Sequence, residues 1–117
     1  MTLPPRIPKK PKRSSRWRSQ AHCTFVRGHH CCVPGCGAVP IEVAHVRNGS
    51  GAGVSQKPDD WNTISLCRDH HAEQHRIGER SFQAAHAINM AALAEEFANA
   101  SPKRAEIMHI RKERENG

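Results

Sequence analysis

A chain of 117 residues with only three Phe, two Trp and no Tyr has material for one small domain and a small core, which a metal staple would help to fold. Its five cysteines are an odd number, no apolar h-region marks a signal peptide, and no run approaches a membrane span, so a disulfide scaffold and a membrane protein are set aside for a soluble protein of a reducing, cytoplasmic compartment. The net charge of +7 is confined to one end: residues 1–20 hold Arg6, Lys9, Lys10, Lys12, Arg13, Arg16 and Arg18 and no acid, whereas the rest of the chain is balanced at eleven basic and eleven acidic side chains.

In chain order, Pro4, Pro5, Pro8 and Pro11 interleave with that charge, so Leu3 to Lys12 is expected as a disordered, extended basic arm that can neither pack a core nor run as a helix. Ser15 to Arg27 spaces Trp17, Ala21, Phe25 and Val26 loosely as a short helix. Cys31 to Pro40 is a Pro-Gly turn between cysteines, and the alternation of Val39, Ile41 and Val43 predicts a strand over 39–46 with His45 at its end. Asn48 to Gly53 is a glycine-rich spacer without the Lys-Ser/Thr ending of a phosphate-binding loop. A second strand is predicted over 61–66, and a helix opens at Cys67 and runs to about Arg76 before Gly78 stops it. Ser81 to Ala100 is alanine-rich with Phe82, Ile88, Leu93 and Phe97 at helical intervals, broken near Asn89, and Ser101-Pro102 starts a last helix over 103–115 that hides Ile107 and Ile110. The expected division is an arm over 1–20, a zinc-stapled domain over 21–100 and a C-terminal helix over 101–117, a small α+β chain without repeats.

The ligand-type side chains cluster in the middle of this order. Cys31 or Cys32 with Cys36, and Cys67 with His70, are the short-spaced pairs that close a structural Cys3His zinc site. His71 and His75 lie four apart on the helix, so both imidazoles share a face and suit a second cation, while His70 points roughly 100° away towards the cysteines. His45, at a strand end, is placed to act as a general base towards that cation, and Asn62 to order the long loop through backbone hydrogen bonds. Arg47, Arg76 and Lys57 are candidate phosphate contacts beside it, joined by Arg6, Lys9, Lys10, Lys12 and Arg13 of the arm. Cys23 lies outside both ligand spacings and reads as a buried thiol, and His22, His29, His30, His86 and His109 as packing or surface residues.

Ala44-His45-Val46-Arg47, then Trp61-Asn62-Thr63-Ile64-Ser65-Leu66-Cys67, then His70-His71 resembles the pattern of the His-Asn-His endonucleases with the ββα-metal fold. The stretch from Cys31 to Phe82, with Lys57-Pro58-Asp59-Asp60 and His71 to Gly78, is similar to nucleases of phages and prophages related to the phage RecA-dependent nuclease. The resemblance implies a hydrolase that cuts DNA phosphodiester bonds, with His45 as general base, Asn62 ordering the loop, His71 and His75 holding a catalytic Mg2+ or Mn2+, or else Zn2+ or Ni2+, and a recombinase filament as a further partner. It departs from that pattern at Ala44, where many members carry a metal-binding Asp or His. The alternative is a non-catalytic zinc-stapled module that binds nucleic acid or protein.

Overall fold

The computed structural model describes residues 2–8, 16–47 and 57–116 of the chain. Among them α1 (Gln20–Arg27), β1 (Ile41–His45), β2 (Thr63–Cys67), α2 (Arg68–Ile77), α3 (Glu79–His86), α4 (Met90–Ala100) and α5 (Arg104–Asn116) follow one another, a small α+β fold built on one hairpin. No helix among the described residues is long and apolar enough to cross a membrane. The spacer from Asn48 to Gly53, and Lys9, Lys10, Lys12 and Arg13 of the arm, lie outside the described residues.

Local chemistry sets where each element begins and ends. Ser19, in an extended conformation, accepts a hydrogen bond from the His22 amide at 3.1 Å, so α1 starts at Gln20, five residues later than the periodicity from Ser15 suggests. Val39 is 78% exposed and lies outside the hairpin, and β1 begins only at Ile41. Trp61 belongs to a turn ahead of β2, where it packs against Trp17. Ala87 takes a left-handed conformation and Asn89 caps the Ala92 amide, dividing the alanine-rich stretch into α3 and α4.

The two strands pair antiparallel in a register that sets Ile41 opposite Cys67, Ala44 opposite Ile64 and His45 opposite Thr63. Every residue of β2 is buried, because α1, α2 and α4 all pack on it. Its polar side chains are satisfied inside: the Thr63 hydroxyl donates to the Asp60 carbonyl and the Ser65 hydroxyl to the His30 carbonyl, both at 2.7 Å. Ile64, Leu66, Phe82 and Met90 form the centre of the core with Ala44, Val46 and Ala94. A second, smaller cluster joins Trp17, Trp61, Ala98 and Ile107, so the inner end of the 1–20 segment and the last helix share one apolar patch.

Candidate metal centre and the groove beside it

Cys67 ends β2 and is also the N-cap of α2, where its sulfur accepts the His70 amide at 3.4 Å. That one turn therefore places a cysteine sulfur and an imidazole side by side. The other two ligands arrive on the loop after α1, which is tied to β2 by the Cys32 amide donating to the Ser65 carbonyl at 2.9 Å and turned by Gly35, whose φ of 77° suits glycine. The ligand atoms of Cys31, Cys36, Cys67 and His70 converge within 4.8 Å of one another. His70 Nδ1 is 3.4 Å from the Cys31 sulfur and 3.2 Å from that of Cys67, and the Cys36 and Cys67 sulfurs are 4.0 Å apart. Around a tetrahedral zinc the corresponding edges are about 3.6 Å for sulfur to nitrogen and about 3.8 Å for sulfur to sulfur, so this donor set fits the ion with small adjustments.

Cys32 stands apart from the group, its sulfur 3.5 Å from the Ser65 hydroxyl. Burial raises the Cys31 thiol to about 11, whereas a hydrogen bond from the Ala38 amide leads the causes that lower Cys36. A bound cation would displace the Cys31 proton and offset the cost of burying the thiolate's negative charge.

Beside the cluster an open groove of about 780 Å³ runs between β1, α2 and the root of the arm, and His45, Arg47, Lys57, His71 and His75 all line it. His45 Nε2 lies 2.9 Å from the Asp60 carboxylate, which also accepts the Ser19 amide at 2.8 Å and Arg18 at 3.3 Å. Burial lowers the His45 pKa and outweighs the opposing pull of Asp60. Burial also works against the Asp60 charge, but the hydrogen bonds from His45 and the Ser19 amide and the nearby Arg18 prevail and hold it below the usual carboxylate range. His71 Nδ1 is bound to Glu42 at 2.8 Å, and its Nε2 lies 3.1 Å from that of His75. Asn62 is outside the groove; its amide donates to the Asp59 carbonyl and its carbonyl accepts the Val46 amide, closing the end of the long loop. Arg76 is exposed on α2 and Arg6 is exposed in the arm.

This arrangement corrects the nuclease reading. The metal-ligand group among the described residues is three cysteines and one histidine, a closed structural set without the open position that hydrolysis requires, and it is not a His-Asn-His triad. That ligand group contains neither His45 nor His71, and no further ligand group among the described residues marks a catalytic ion on His71 and His75. Ala44 has a physical explanation: it is fully buried in the core opposite Ile64, a position that faces packing rather than an ion.

Two acidic residues carry more of this region than their place in the sequence suggests. Asp59 and Asp60 are 2% and 6% exposed and bind the backbone of Trp17 and Ser19 some forty positions away. The available signal is an Asp-Asp pair between Pro58 and Trp61 in a chain whose excess positive charge lies wholly near its start.

No curated protein and no solved structure matches the chain. One family model does match, over residues 4–102, and its description names no nuclease, hydrolase or phage function. Because that match spans most of the chain, the protein belongs to the family described as "Protein of unknown function (DUF968)".

Proposed function

We propose that the chain is a non-catalytic, zinc-stapled module that binds nucleic acid through its basic arm and the groove beside the metal centre. The observation that carries the reading is the closed Cys3His ligand set: it joins the loop after α1 to β2 and α2, and so serves the fold rather than a reaction. The partner class is supported by charge. All of the net +7 can be assigned to residues 1–20, and the described root of that segment lies at the groove that Lys57, Arg47 and three histidines line. A polyanion gains from such an arm by counterion release, which needs no base-reading contacts.

Fluorescence anisotropy with a short labelled DNA duplex, repeated over a range of salt, tests this. Wild type is expected to bind at low salt and weaken steeply as salt rises. Changing Lys9, Lys10, Lys12 and Arg13 together to Gln should reduce the slope of log K against log salt by up to about 3.6. Zinc-loaded, folded protein that binds neither duplex nor single strand at low salt would sink the reading, as would a slope that the four substitutions leave unchanged.

A further inference from the structure

The charge of the arm is of use to a ligand only if the arm is held where the groove can act with it, and residues 16–19 are tied by several hydrogen bonds to the loop before β2. The Trp17 amide donates to Asp59 at 2.6 Å, the Trp17 carbonyl accepts the Asp60 amide at 2.9 Å, and the Ser19 amide donates to Asp60 at 2.8 Å. Arg18 reaches the carbonyls of Lys57 and Pro58. The backbone is thus pinned to the loop that precedes β2, at the rim of the groove.

What holds this pinning in place comes from the other end of the chain. The Trp17 ring stacks on Trp61 with centroids 5.4 Å apart, and its indole N–H donates to Glu106 of α5 at 3.1 Å. Arg111 and Arg114 of α5 lie over the far aromatic partner, 5.3 and 5.0 Å from the Trp61 centroid. Arg114 also reaches the Asp59 carboxylate at 3.0 Å, the same carboxylate that Arg16 approaches at 3.6 Å. Two guanidinium groups therefore share one acid. Ile107 is the only fully buried apolar side chain that α5 contributes among the described residues, so its seat depends on these aromatic and ionic contacts as well as on packing. The family match stops at residue 102, before α5 begins.

We propose that α5 is a latch for the arm: Arg111, Arg114 and Glu106 clamp Trp17 on Trp61, fixing the arm root at the groove so that arm and groove grip one segment of duplex nucleic acid. The residues are positioning residues, and the grip rests on the nucleic-acid reading above while the latch does not. A duplex is the occupant proposed because, among the described residues, the groove is lined by cationic side chains and by His45, His71 and His75, the last two already paired with Glu42 and with each other, with no Phe or Trp as a stacking platform, and both tryptophans are used in the latch.

The test uses the full zinc-loaded chain with Arg111 and Arg114 changed together to Ala, a pair of substitutions on the face of one helix away from the metal centre. Amide exchange at Trp17 and Ser19 is expected to rise about tenfold or more, with exchange at Ile64 and Leu66 of β2 unchanged. Unaltered exchange at Trp17 and Ser19 overturns the latch. Duplex affinity should fall about as far as it does when Lys9, Lys10, Lys12 and Arg13 are changed to Gln, and combining the two sets should cost nothing further. A further full drop in the combined variant overturns the positioning role, because Arg111 and Arg114 would then touch the ligand themselves. A wild type that binds no duplex overturns the grip together with the reading it rests on, and the exchange result still decides the latch.

Discussion

His22 shows how much a single residue can depend on its surroundings. It is fully buried between Trp17 and Phe25, with Nδ1 2.7 Å from the Ser101 hydroxyl and Nε2 3.5 Å from that of Thr63, so it ties α1 to β2 and to the start of the last helix. Burial lowers its pKa below the ordinary 6.5, against the opposing charge of Asp60. The unfolded chain then binds more protons than the folded one below that value, so the stability that neutral His22 contributes is full above about pH 6.5 and is lost as pH falls towards the folded pKa. Buried His45 acts with the same sign. Measuring unfolding free energy against pH for wild type and His22→Gln should give a shallower acid decline in the variant; parallel profiles would show that His22 is not the linked group.

At the scale of elements, the hairpin and α2 form a unit because Cys67 closes the strand, caps the helix and offers its sulfur to the metal group. Gly78 performs the turn from α2 to α3 with φ 87° and ψ 160°, a region that side chains other than glycine rarely enter. A Cβ added there would meet nothing within 4 Å, so the cost of Gly78→Ala is backbone conformation alone. A loss of about 1–3 kcal/mol is expected from the denaturation midpoint. A variant as stable as wild type would mean that the chain relaxes to another turn. The helix stop at Gly78 and the break near Asn89 are legible in the sequence, since a glycine and a capping Asn act within a few residues of their place. The start of α1 is less so, because Ser19 is held as its cap by the carboxylate of Asp60, a contact between residues far apart in the chain.

For the molecule as a whole, a two-stranded sheet with a core centred on Phe82, Ile64, Leu66 and Met90 is little apolar mass for the order it supports. A metal on Cys31, Cys36, Cys67 and His70 would link the loop after α1 to β2 and α2, and structural zinc of this kind contributes on the order of 10 kcal/mol of folding free energy. Metal analysis should find one zinc per chain, and a strong chelator should abolish the cooperative thermal transition seen by circular dichroism. Cys67→Ser should lose zinc and that transition together. A Cys67→Ser protein that melts like wild type would remove the metal from the account of stability.

Short-range grammar determined much of what is visible in the chain alone: the localised charge, the strand–strand–helix order, and the paired spacings of Cys31 or Cys32 with Cys36 and of Cys67 with His70. Such signals act over a few bonds, and backbone periodicity transmits them directly. Tertiary structure decided the rest. It separated Cys31 from Cys32 by the register of the loop against Ser65, placed Ala44 in the core, and drew the metal group as a closed Cys3His set rather than a His-Asn-His site. It also brought Trp17, Asp59, Trp61 and Arg114 together, contacts that span up to 55 positions along the chain. No local pattern encodes that meeting, because the burial and charge balance that favour it exist only once the chain has folded.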